Sequence, residues 1–251
     1  MVAFYFVKSD YLVIKYSRMS FLYLITIAVM LGLLVGVLFL MKYFTNQLVT
    51  NIVFCVIVVT CYGVGLLINY QHNGIHDWNF TNALPTANVS PFIFSACPLF
   101  FVLPKSIRKY FGTLIALLVV GMILSPVFSC AYNFSIQYKF HPSFLLNYFG
   151  HIALALWGIY LVQSKQCELK VKDCLIGGSI IVSVAFTMMI LNIIFDQSFF
   201  GLSLNGKHNI YNIVLVKNSF LSAFLYFTGL GLVLLMGYFF EKLLLVLNKR
   251  R

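Results

Sequence analysis

Apolar runs recur along the whole chain, each long enough to need ~20 residues of bilayer and each closed by a short polar or basic stretch. The pattern lacks the apolar–polar alternation of strands, so it predicts an all-α protein, a polytopic transmembrane helix bundle. About seven spans follow: 20–42, 48–70, 84–104, 112–133, 144–163, 174–195 and 218–240. At ~1.5 Å per residue each covers the ~30 Å hydrocarbon core. No span is expected to bury a charged residue at its middle. The third departs from the rest. It opens "LPTANVSPFIF" and carries Pro85, Pro91, Pro98 and Pro104, while Pro126 lies in the fourth. Such breakers are tolerated where neighbouring helices or side chains satisfy the freed carbonyls.

Composition agrees with this pattern. Of 251 residues, 61% are apolar and 9% charged, against about a quarter charged in soluble domains. No cleaved signal peptide is expected, because the first apolar run is too long and no small-residue site follows it. The abundance of Phe, Ile, Asn, Tyr and Lys suits an AT-rich bacterial genome. None of the six cysteines forms a CxxC pair or a metal spacing, and most lie inside apolar runs as small hydrophobes.

The net charge of +11 sits in short loops, where it signals topology and contacts anionic head groups rather than nucleic acid. Residues 43–47, 105–111, 164–173 and the C-terminal tail, with the span-edge lysines, hold eleven of the Lys and Arg; the other side holds six. The positive-inside rule therefore places the N-terminus outside and the C-terminus in the cytoplasm. Residues 1–19 read as an amphipathic or interfacial segment, 20–240 as the seven-span membrane domain and 241–251 as a basic cytoplasmic tail. The expected location is the cell membrane, multi-pass, with membrane lipids as partners. No oligomeric state is assigned.

Polar groups inside spans are costly and mark candidate sites. His151, in "LLNYFGHIALALW", lies about seven residues into the fifth span, and Ser90 about six into the third from the same face. A hydroxyl beside an imidazole is the minimal nucleophile–base pair. Alternatively, His151 bonds a backbone carbonyl or a Tyr between helices and only packs the bundle. Thr86 shares the Ser90 face, Asn88 is placed to orient an imidazole or donate to an oxyanion, and Cys97 reads as packing. Asn192 and Asp196 either line a polar cavity or mark the interface. His72, His76 and Asp77 do not match a zinc spacing. No metal and no cofactor is assigned.

The order of motifs resembles the YwaF-like family of bacterial seven-span membrane proteins, distantly similar to androgen-induced membrane hydrolases and a phospholipid acyltransferase. A Trp follows the second span, "ALP" opens the third, a basic loop and a Ser-Pro follow, and "HPSFLLNYFGH" enters the fifth. The resemblance covers roughly residues 48–240. Leu84 and Pro85 are kept; with one extra residue, Asn88 stands for the family's His, Val89 for its Leu and Ser90 for its Cys, whereas placing that residue elsewhere sets Val89 against the Cys. His151 matches the family's fifth-span His, and Asn209 in "GKHNIYN" its loop Asn. The resemblance implies a Cys/His or Thr/His couple acting on acyl esters of lipids, with Ser90 retaining a nucleophilic oxygen in place of the Cys.

The expectation is thus a lipid acyl hydrolase or acyltransferase using Ser90 and His151. Asn88, Thr86, Asn192 and Asn209 would hold the oxyanion or line the cavity. The competing readings are a small-molecule transporter or substrate-binding membrane subunit, and a non-catalytic lipid-binding relative.

Overall fold

The computed structural model describes residues 21–77, 89–132, 142–195, 199–201, 209–210, 214–215 and 219–249. Among these the chain is helical apart from a two-residue antiparallel pair, β1 (Asn209–Ile210) and β2 (Val214–Leu215), in register Asn209 to Leu215. The helices are α1 (Phe21–Leu40), α2 (Gln47–Asp77), α3 (Val89–Ala96), α4 (Leu99–Val102), α5 (Lys105–Leu117), α6 (Val119–Tyr132), α7 (Pro142–Gln163), α8 (Val171–Phe195) and α9 (Ser219–Lys249).

Three of these are long and apolar enough to cross a membrane: Gln47–Ile68 within α2, Val171–Phe195, and Ala223–Leu247 within α9. The pair α5–α6, bent by 40°, adds a fourth if it is taken as one span. Only 17% of the most hydrophobic window of α9 is buried. Its outward residues include Leu232, Leu235, Met236, Phe239 and Leu243. Apolar surface on that scale is not stable against water and matches a hydrocarbon solvent.

The third apolar stretch is not one helix. Pro98 has no N–H to continue α3, so the chain turns at Cys97–Pro98 and restarts as α4, with Pro98 as its N-cap. Pro104 ends α4 in turn, at ψ 150. The carbonyls this leaves open are collected by Arg108 one turn into α5: Nη2 donates to Leu103 O at 3.0 Å and Phe101 O at 3.2 Å. The same guanidinium lies over the Phe100 ring at 5.5 Å. Residues 105–111, read from sequence as a loop, are therefore the start of α5.

At the bend between α5 and α6 the Leu118 N–H is shared by Leu114 O (3.1 Å) and Ile115 O (3.2 Å). No proline makes this bend. It lies where Gly158 of α7 approaches: a Cβ there would stand 2.6 Å from Val119 Cγ2 and 3.0 Å from Ile115 O.

Helix α7 forms the axis of the bundle. It packs on α1, α2, α3, α5, α6 and α9, and every residue from Gly150 to Val162 is buried. Its polar groups find partners at both ends. Trp157 Nε1 donates to Asn51 Oδ1 (3.0 Å), whose Nδ2 donates to Gln166 Oε1 (2.7 Å). These bonds tie the start of α2, capped by Asn46 Oδ1 on Val49 N–H at 3.1 Å, to the end of α7.

The end of α7 is a Schellman turn. Gln166 N–H reaches Leu161 O (2.9 Å), Lys165 N–H reaches Val162 O (3.1 Å), and Lys165 itself takes φ 58. This turn, with Lys109 of α5 bridged to Asp173 of α8 at 3.2 Å, gathers the basic segments 105–111 and 164–173 at one end. They surround a cleft of about 380 Å³ lined in part by Lys109, Lys165, Lys170 and Lys172.

Two boundaries lie beyond the apolar runs. Helix α2 continues to Asp77, past the expected end at 70, and α9 continues to Lys249 across most of the expected tail. The second extension carries a carboxyl that the expected spans do not include: Glu241, one residue past 240, is fully buried.

Candidate functional site

Ser90 is the second residue of α3, and His151 lies in the buried stretch of α7. The contacts of α3 with α2 and α7 seat this short helix over the histidine. Ser90 Oγ lies 2.9 Å from His151 Nε2, and His151 Nδ1 lies 2.7 Å from the carbonyl oxygen of Asn147. A carbonyl only accepts, so Nδ1 carries the proton in that bond. In the neutral ring Nε2 is then the bare acceptor, and the Ser90 hydroxyl donates to it.

Asn147 is one turn before His151 on the same helix. The ring is thus oriented by its own backbone, while the hydroxyl is delivered by another segment. Phe94, one turn after Ser90 on α3, stands edge-on to the imidazole, with centroids 4.9 Å apart and planes at 78°. Gly150 leaves room for this: a Cβ there would meet Cys61 Cβ at 3.4 Å and the Phe94 ring at 3.5 Å. Tyr62 of α2 packs edge-on to the other side of Phe94 at 6.0 Å. His151 is 3% exposed and Ser90 half-buried, so the imidazole is shielded from solvent.

The other expected site residues distribute differently. Thr86 and Asn88 lie outside the described residues. Asn209 contributes its backbone to β1; its side chain lies outside what is described. Asn192 is buried in α8 and closes a turn: Nδ2 donates to Phe199 O at 2.9 Å, and Oδ1 accepts from Phe199 N–H at 2.6 Å. Cys97 is fully buried in the apolar core. The side chains of His72, His76 and Asp77 lie outside the described residues, and among those described no three His, Cys, Asp or Glu groups converge as metal ligands.

Sequence reasoning did not name Asn147 or Phe94 for the site. Both are one helical turn from a residue it did name, and that spacing is the signal by which they can be found.

The arrangement defines a class: a helical bundle with apolar helices turned outward and a hydroxyl–imidazole pair set into its interior. No family model, curated protein or solved structure matches the chain.

Proposed function

We propose that the chain is a multi-pass protein of the cell membrane that hydrolyses or transfers the acyl groups of lipid esters. Ser90 is its nucleophile and His151 its general base. The observation that carries this reading is the pair of bonds on His151, which leaves Nε2 unprotonated 2.9 Å from Ser90 Oγ. The seven-span topology, outer N-terminus and YwaF-like kinship suggested by the sequence belong to the same reading.

In the acylation step, Ser90 Oγ attacks the ester carbonyl as its proton passes to Nε2. The resulting imidazolium is steadied by the Nδ1–H bond to Asn147 O. The tetrahedral intermediate collapses, and the departing alkoxide takes the proton from Nε2. Water, or a second alcohol in a transferase, then attacks the acyl-serine with His151 again as base. The amides of Val89 and Ser90, at the start of α3, precede the first intrahelical bond and favour the oxyanion, as would the Asn88 amide. Pro91 after them has no N–H. A carbonyl stabilises the imidazolium less than a carboxylate does, so turnover is expected to be slow.

The test is labelling by a lipid-like fluorophosphonate in membranes. Ser90→Ala and His151→Ala are each expected to abolish it, while size exclusion in detergent shows the bundle intact. Undiminished labelling in both variants would overturn the proposal.

A further inference from the structure

Among the described residues six polar or charged side chains are buried: Asn51, Thr113, His151, Asp173, Asn192 and Glu241. Five have partners. Asn51 bonds Trp157 and Gln166, Thr113 bonds Lys109 O, His151 bonds Ser90, Asp173 pairs with Lys109, and Asn192 clamps Phe199. Glu241 alone has none: neither carboxyl oxygen has a hydrogen-bond partner among the described residues, and the residue is 0% exposed.

Its position is defined by the helices around it. One turn before it, Gly237 brings α9 so close to α5 that a Cβ would fall on the Leu117 carbonyl oxygen. One turn before Leu117, Thr113 bonds Lys109 O at 2.8 Å. A Cβ at Gly177 of α8 would stand 3.4 Å from Thr113 Cβ. Cys167, which lies within electrostatic reach of Glu241, lines the lysine-rimmed cleft. Glu241 is therefore close to a residue of the cleft wall and one turn from the Gly237–Leu117 contact.

The titratable groups of the elements packed here include Lys105, Arg108, Lys109 and Tyr110 on α5, Lys172, Asp173 and Cys174 on α8, Cys167 in the loop and Tyr238 and Lys242 on α9 itself. Among these, Lys109 is engaged by Asp173. No cation pairs with Glu241 among the described residues. An isolated carboxylate withdrawn from water neutralises instead of remaining charged.

We propose that Glu241 is a proton-binding site of the bundle, exchanging with the basic face past Cys167 and Thr113. The protonated acid is compatible with the close α5–α9 contact. Its ionised form demands water or a cation, and so opens that contact. The site shares no residue with the Ser90–His151 pair in the middle of α7.

A hydrophobic carbodiimide tests this on the full chain in detergent. The reagent takes the proton of a carboxylic acid on nitrogen and the carboxyl oxygen on carbon, then rearranges to a stable acylurea that peptide mapping locates. At about pH 7 the adduct is expected on Glu241, lost in Glu241→Gln, retained in Glu168→Gln, diminished as pH rises and unchanged by sodium. Absence of the adduct from Glu241 in the unmutated protein would overturn the proposal, whatever Glu241→Gln does to folding. Protection by sodium would overturn it also, since the carboxyl would then be a cation ligand.

Discussion

Ser90 Oγ and His151 Nε2 stand 2.9 Å apart although 61 residues separate them. The contact joins a hydroxyl on a short helix to a ring whose other nitrogen is already committed to Asn147 O at 2.7 Å. A positioned general base contributes typically ~10²–10⁴ in rate. The rate of fluorophosphonate labelling at Ser90 should fall by a factor in that range in His151→Ala. Stopped-flow or time-course labelling measures it; a change below about threefold would mean that the imidazole only packs.

On His151, Nδ1 bonds a backbone carbonyl of its own helix, and Nε2 meets the Ser90 hydroxyl. The approach of Ser90 to His151 was legible because depth along a spanning helix is linear in residue number. That α3 and α7 are neighbours was not, since hydropathy carries no azimuth between helices. Glu241 was hidden by its setting: it follows the expected seventh run and precedes Lys242, so charge density reads as a tail. The four-residue step from Gly237 to Glu241 places both on one face, and packing against α5 decides the matter. Asn192 illustrates a further limit, because a buried amide that closes a turn and one that lines a cavity look alike in sequence.

Burial pushes the Cys167 thiol up. The unfolded thiol ionises near ~8.5 while the folded one stays protonated. Between those values the unfolded state binds fewer protons, so stability falls as pH rises above about 8.5, by up to ~1.4 kcal/mol per pH unit. Thermal unfolding in detergent should show this slope reduced in Cys167→Ala. An unchanged slope would assign it to another group.

Lys165 holds the left-handed position of the Schellman turn, at φ 58. A side chain there costs roughly 1–2 kcal/mol, and glycine avoids it at some cost in chain entropy. Lys165→Gly is expected to raise stability by about 0.5–1 kcal/mol. Lys165→Ala removes the same charge and should show no such gain. The pair of melting curves separates backbone relief from electrostatics.

Gly237 sits where a Cβ would fall on the Leu117 carbonyl oxygen. Gly237→Ala should destabilise by about 1–3 kcal/mol, as overpacking does. Gly231 has open space around its own Cβ position. Gly231→Ala, on the same helix, should instead match or exceed the parent in thermal unfolding, because alanine is the better helix former.

The Asn147 bond gives the imidazole a reference frame that travels with it. Any tilt or shift of α7 carries ring and carbonyl together, so the orientation of Nε2 survives rearrangement elsewhere in the bundle. What remains variable is one coordinate: how far the eight-residue helix α3 is seated. Breathing of that one segment would disconnect the hydroxyl from the base and uncover the half-buried serine, without disturbing the helices that face lipid.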